Sequence, residues 1–187
     1  MPDEVHDERE FARVPDGFER LWTPHRMAYI QDQKPAEDDD SGCPFCASPI
    51  RSDSDGLIVY RGETCFVVLN LFPYNPGHLL VCPYRHVARY LDLTPAELVE
   101  FTALTQAAIR TLTTVSEPHG FNLGMNQGAV AGAGVAAHLH QHVVPRWGGD
   151  ANFLPIIAQT KALPELLEDT RTRLADAWEA EIGASPR

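Results

Sequence analysis

The stretch His138-Leu139-His140-Gln141-His142-Val143-Val144-Pro145-Arg146 places three imidazoles at alternating positions in an otherwise apolar run. Side chains along a β-strand alternate faces, so a strand here sets His138, His140 and His142 on one side and Leu139, Gln141 and Val143 on the other. Imidazole is costly to desolvate and useful near neutral pH as proton carrier, nucleophile or metal ligand. The run therefore has three readings. The plainest is a half-exposed strand whose histidines are satisfied by hydrogen bonds. The second makes all three histidines zinc ligands. The third makes one imidazole a nucleophile toward phosphorus, its neighbours orienting it and neutralising phosphate oxygens.

Working outward, Leu57 to Arg61, Cys65 to Asn70 and His78 to Cys82 read as strands, with the Pro- and Gly-containing interval 70–77 as a loop. Thr94-Pro95-Ala96-Glu97 has the form of a helix start, with threonine as N-cap, proline at the first position and glutamate at the third. Leu98, Phe101, Thr105, Ala108, Ile109 and Leu112 then keep a helical stripe to about Ser116. Phe121 to Asn126 is a further strand. Pro164 to Ile182 reads as a closing helix with Leu166, Leu167, Leu174 and Trp178 on its apolar side. Strands grouped around one long helix predict an α+β fold of mostly antiparallel sheet. Residues 1–42 read as an acidic N-terminal extension with a short helix within 18–31 and a charged linker over 32–42, and 43–187 as a single domain.

The flanks of the histidine run narrow its reading. Leu69-Asn70-Leu71-Phe72-Pro73-Tyr74-Asn75-Pro76-Gly77-His78 leads into an apolar strand, and Gly124-Met125-Asn126-Gln127-Gly128 precedes a small-residue loop that ends at His138. With these pieces in this order, over about residues 56–150, the chain resembles the histidine triad (HIT) superfamily of nucleotide hydrolases and transferases. Segments 20–27 and 145–153 are similar to those of its actinobacterial diadenosine tetraphosphate phosphorylase branch.

That resemblance implies a HIT-like fold and a mechanism in which the middle histidine, His140, attacks an α-phosphorus to give a covalent nucleotidyl-histidine. His142 then donates to a non-bridging phosphate oxygen, Asn126 reaches the same phosphate, and Asn70 grips the ribose hydroxyls. For either asparagine the plainer reading is turn chemistry. Gly132 and Gly134 leave backbone amides that can approach phosphate oxygens. Trp147 reads equally as a cap stacked on adenine or as ordinary packing. His78 reads as a hydrogen-bonding residue that orders its loop. Many relatives place a serine or threonine a few residues before the triad; here the loop Ala129 to Ala137 carries no hydroxyl.

Cys43-Pro44-Phe45-Cys46 is a C-x-x-C whose use is metal or redox rather than a structural disulfide, the alternative being a pair of unmetallated buried thiols. In some superfamily members such a motif is joined by two histidines, which here are His86 and His138. Two thiolates and two imidazoles close a tetrahedral zinc site, structural because no position stays open. Commitment of His138 to that site removes the reading in which the triad forms one catalytic metal centre. Cys65 and Cys82 alternate with apolar residues and read as core.

A net charge of −11 excludes a sequence-independent nucleic-acid binder, since that affinity rests on clustered lysine and arginine. Arg85, Arg89 and Arg146 lie near the motif segments, where an anionic substrate needs local positive charge. No apolar stretch approaches a membrane span, and the acidic first residues do not form a leader, so a cytoplasmic protein is expected. The substrate implied by the resemblance is diadenosine tetraphosphate, or another adenine dinucleotide or mononucleotide, with inorganic phosphate as acceptor and no organic cofactor. The alternatives are a hydrolase of dinucleoside polyphosphates or nucleoside phosphoramidates, and a nucleotide sensor with little turnover. Family likeness also implies a homodimer or larger assembly.

Overall fold

A computed structural model describes residues 42–150 and 163–184, which lie within one compact unit. The expected helix within 18–31 and the linker before residue 42 fall outside the described residues. The chain opens with a short helix α1 (Pro44–Ala47) and a 3-10 turn (Ser48–Ile50), then strands β1 (Ile58–Arg61), β2 (Cys65–Leu69) and β3 (Leu79–Pro83). Helix α2 (Pro95–Ser116) follows, then β4 (Gly120–Gly124), β5 (Gln141–Arg146) and helix α3 (Leu167–Ala184). The strands form one antiparallel sheet in the order β1-β2-β3-β5-β4, so the α+β expectation holds.

Helix α2 begins as its sequence dictates. Thr94 accepts from the Glu97 backbone N–H, and the Glu97 carboxylate returns a bond to the Thr94 N–H, a complete capping box with Pro95 at the first position. Arg85 fixes Glu97 from outside at 2.7 Å, and that bond together with the threonine bonds holds the carboxyl down at about 2 against the opposing effect of burial. The helix lays Phe101, Leu104, Ala108 and Leu112 on one sheet face with Leu174 and Trp178 of α3, and Trp178 stacks on Tyr60 of β1 at 5.3 Å. Leu166, expected on the apolar side of α3, precedes the helix and is exposed; its place is taken by Leu167, Leu174 and Trp178.

Strand alternation assigns the other face. Cys65, Val67, Leu69, Leu79, Val81 and Val143 meet the helices, whereas Phe66, Val68, Leu80 and Cys82 form a second cluster with Phe45, Leu57 and Tyr84. Burial pushes the Cys65 thiol up to about 11 and the Cys82 thiol well above its ordinary range, as suits inert core thiols. Across this second face Val68 pairs with Leu80, and Leu80 with His142, so the register carries an apolar row straight to an imidazole. On the far side of β5 the partner of His142 is Gly124, which has no side chain to cover it. No described helix is long and apolar enough to cross a membrane.

The strand expected over 138–146 starts later. β5 begins at Gln141, and its pairing with β3 runs only from Val81↔Gln141 to Leu79↔Val143. Before that point the chain leaves the ladder, and the Leu139 N–H bonds to the carbonyl of Val87 instead. His138, Leu139 and His140 are consequently all buried, without the alternation a strand imposes.

Candidate active site and metal centre

Leaving the ladder divides the histidines between two places. His140 and His142 line a cavity of about 460 Å³ floored by Val68 and Leu80, while His138 turns toward the segment that opens the domain. There the ligand atoms of Cys43, Cys46, His86 and His138 lie within 4.8 Å of one another. His138 Nε2 donates to the Pro83 carbonyl at 2.9 Å, which leaves Nδ1 as a bare lone pair 3.4 Å from each cysteine sulfur. His86 Nδ1 is 3.2 Å from Cys46. Sulfur and nitrogen at roughly 2.3 Å and 2.0 Å from a tetrahedral ion stand about 3.5 Å apart, close to these separations, so the four groups need only small adjustments to hold one. The arrangement fits a closed Cys2His2 metal site with the tautomer of His138 already set by its carbonyl acceptor.

The cavity histidines have equally defined protons. His140 Nδ1 donates to the carbonyl of His138 at 2.8 Å, leaving Nε2 as the lone pair, with no hydrogen-bond partner among the described residues. Burial pushes its pKa below the ordinary histidine range, so the ring is neutral at pH 7.

His78 is wholly buried, and its Nδ1 accepts from the Tyr74 backbone N–H at 3.0 Å. Its proton is therefore on Nε2, which donates to His142 Nδ1 at 2.9 Å. His142 must in turn carry its proton on Nε2, an atom that is buried without a partner. One imidazole thus offers an electron pair and its neighbour an unused N–H, with ring centroids 5.1 Å apart.

A lone pair beside an unsatisfied donor is what in-line attack on a phosphate ester requires. Burial, helped by the nearby His140, pushes His142 down to about 4. Protonating its Nδ1 would also set two N–H groups against each other across the bond to His78. With both cavity imidazoles held below their ordinary range by burial, the acid limb of activity should lie below pH 6.5. His78→Ala removes both the opposing donor and part of the burial, so it should move the acid limb of kcat/KM up toward 6.5, as a pH profile of the two proteins reads directly.

Other expected site residues divide. Asn70 lines the cavity, but its Oδ1 accepts from the Phe72 N–H and its amide reaches His78 Nδ1, so it also performs the turn chemistry. Gly132 and Gly134 line the cavity, Gly132 with φ +86°. Asn126 does not line it; its amide spans the loop to the Gly132 carbonyl at 3.4 Å. Trp147 is also outside the lining, with its indole N–H on the Ser116 carbonyl at the end of α2, so its contacts are those of packing.

The arginines expected to supply positive charge are committed to carboxylates: Arg85 to Glu97, Arg89 to Asp92, Arg146 to Asp150. None lines the cavity. Sequence reasoning also missed two aromatics. Phe45 sets its ring 4.8 Å from that of His140 and 5.6 Å from that of His138, and Tyr74 stacks on His142 at 5.5 Å. The signal for Phe45 lay inside the C-x-x-C, since whatever stands between two ligands is carried wherever the ligands go.

Comparison with known proteins places these features in context. A family model described as HIT domain matches residues 51–149. Over 167 residues the chain is 53% identical to an AP-4-A phosphorylase of Mycobacterium tuberculosis, covering 87% of this chain and 86% of that protein. It is 36% identical over 93 residues, half of each chain, to an asymmetrical bis(5'-nucleosyl)-tetraphosphatase of Schizosaccharomyces pombe. Among solved structures, a Zn-bound histidine triad family protein of Mycobacterium smegmatis aligns with a TM-score of 0.61 and 26% identity, covering 79% of this chain and all of that one.

Proposed function

The chain belongs to the HIT family, and on that premise we propose that it is a nucleotidyltransferase that splits diadenosine tetraphosphate with inorganic phosphate. The observation that carries this reading is the tautomer of His140, whose Nδ1–H is held by the His138 carbonyl while Nε2 is left as the nucleophile. Nε2 attacks an α-phosphorus and forms a P–N bond as the bond to the bridging oxygen breaks and ATP departs. Phosphate then attacks the adenylyl-His140, the P–N bond breaks, and ADP leaves.

The unpartnered Nε2–H of His142 meets the non-bridging oxygen as its charge grows. The Nδ1–H of His140 stays on its carbonyl throughout and stabilises the positive charge the ring acquires in the adduct. Asn70 is assigned to the ribose, and Asn126, Gly132 and Gly134 to the loop beside the phosphates. The ion assigned to Cys43, Cys46, His86 and His138 is zinc, which with two thiolates and two imidazoles is a structural closure that supplies no coordination position for substrate. The domain is taken as residues 43–187. A homodimer or larger assembly and a cytoplasmic location complete the assignment, on family likeness and on the sequence.

The test is incubation with diadenosine tetraphosphate in the presence and absence of phosphate, followed by chromatography of the nucleotides. ADP with ATP, formed only with phosphate, is the expected result. AMP with ATP regardless of phosphate would make the protein a hydrolase, the reading to which the tetraphosphatase among its relatives points, and no turnover would favour a sensor, as a loop without a hydroxyl allows.

A further inference from the structure

The cavity runs across the sheet from β5, where His142 stands, to the turn that enters β1. Strand order makes that three strand spacings, roughly 14 Å. Along the way the walls are apolar, with Phe45, Leu57, Val68 and Leu80. At the β1 end they are not, for Arg51 and Asp55 complete the lining there.

Among the described residues Arg51 is the cavity's one lysine or arginine, and its guanidinium has no hydrogen-bond or ion-pair partner among them. Asp55 takes the Ser52 hydroxyl on Oδ2, while Oδ1 has no such partner. The network of bonds described for the other arginines is thus absent at the position that faces the cavity.

The backbone that carries these two groups is held on every side. Gly56 N–H bonds to the Ser52 carbonyl, Leu57 N–H to Ser54 and Ile58 N–H to Asp53, and the Ser48 hydroxyl reaches the Gly56 carbonyl. Arg61 clamps the turn from outside by donating to Asp53 and to the carbonyls of Pro49 and Arg51. Position 56 must be glycine, because a Cβ there would stand 2.5 Å from the Ser48 carbonyl oxygen. Leu57 adopts φ +55°, a left-handed conformation uncommon for a residue with a Cβ and often tied to a functional turn. A constrained turn that presents an unpaired cation beside a half-used carboxylate, at the end of an apolar cleft, is a donor and an acceptor set for the polar edge of a flat ring.

We propose that Arg51 and Asp55 read the edge of the adenine base, Asp55 accepting from the exocyclic amine and Arg51 donating to the adjacent ring nitrogen. This rests on the nucleotide reading of the cavity and names its selectivity. With the phosphate fixed at His140 and the ring held between apolar walls, the base edge has one position, so the order of donor and acceptor matters. Adenine offers an amine beside an unprotonated nitrogen. Hypoxanthine, of the same size, offers a carbonyl beside an N–H and reverses both.

The test is equilibrium binding of AMP and of IMP to the full-length, metal-containing protein by calorimetry, with Arg51→Ala, Asp55→Ala and Asp55→Asn alongside. The wild type should prefer AMP by about tenfold or more, and each alanine variant should weaken AMP by about ten- to hundredfold while IMP changes little. Asp55→Asn, whose amide can also donate, should narrow the gap by improving IMP. Equal affinity for AMP and IMP in the wild type overturns the proposal, as does AMP affinity unchanged in both alanine variants or an equal loss of both nucleotides. Absence of AMP binding to the wild type overturns the nucleotide reading itself, an outcome distinct from binding without discrimination.

Discussion

His140→Ala should lower turnover of diadenosine tetraphosphate by about 10⁴-fold or more, with the fold and the affinity for AMP retained. Its Nε2 is the one cavity imidazole nitrogen with a defined lone pair, because Nδ1 carries the proton given to the His138 carbonyl. No neighbour can replace it: His142 Nδ1 is occupied by His78, and its Nε2 carries a proton. The variant also separates nucleophile from electrostatic helper. His142→Ala leaves the nucleophile in place and removes one donor to the phosphate, for an expected loss of about 10²- to 10³-fold. Mass spectrometry without acid, on protein quenched during turnover, should find an added adenylyl group on the peptide containing residue 140 in the wild type and none in the alanine variant. Equal turnover in wild type and His140→Ala would remove that ring from the chemistry.

The second large effect concerns the metal. Cys43→Ala with Cys46→Ala, or exhaustive chelation, should strip the ion and lower the thermal midpoint by roughly 10 °C, the shift expected for a loss of about 4 kcal/mol in a chain of this size. The estimate corresponds to free metal at about a thousand times its dissociation constant. Activity should fall with it, because Phe45, whose ring stands against that of His140, lies between the two cysteine ligands Cys43 and Cys46. Elemental analysis is the companion measurement, and less than about 0.2 zinc per chain after purification without chelator would contradict the assignment. An unchanged melting curve in the double variant would show that the thiols serve as core residues alone.

What could be read from the sequence was local. The capping box at Thr94 and Glu97 fixed the start of α2, and the stripe from Phe101 to Leu112 fixed the face it buries, because both depend on residues a few positions apart. The pairing of Cys43 and Cys46 with His86 and His138 came from family resemblance, and the four groups do meet. What could not be read depended on partners distant along the chain. Alternation alone carries the strand back to His138, whereas the Leu139 N–H goes to Val87, outside the sheet. Likewise Arg85, Arg89 and Arg146 are cations near the motifs by sequence, yet each has a carboxylate within 2.8 Å. The residue that does reach the cavity, Arg51, stands in a turn with no motif to mark it.

Position 138 contributes to the chemistry twice, and by different atoms. Its ring stands among the four groups proposed to hold the metal, while its carbonyl holds the proton of His140, and a carbonyl belongs to every amino acid. On the proposed assignment, a change of side chain at this position acts on the metal cluster, while the carbonyl that orients His140 is kept. A search pattern that demands three imidazoles in a row rejects sequences in which another ligand, such as a cysteine, takes over the cluster while the nucleophile keeps its tautomer. In classifying distant relatives, the informative pair is the middle histidine together with the histidine of the Pro-Gly-His turn, since these set where the protons sit.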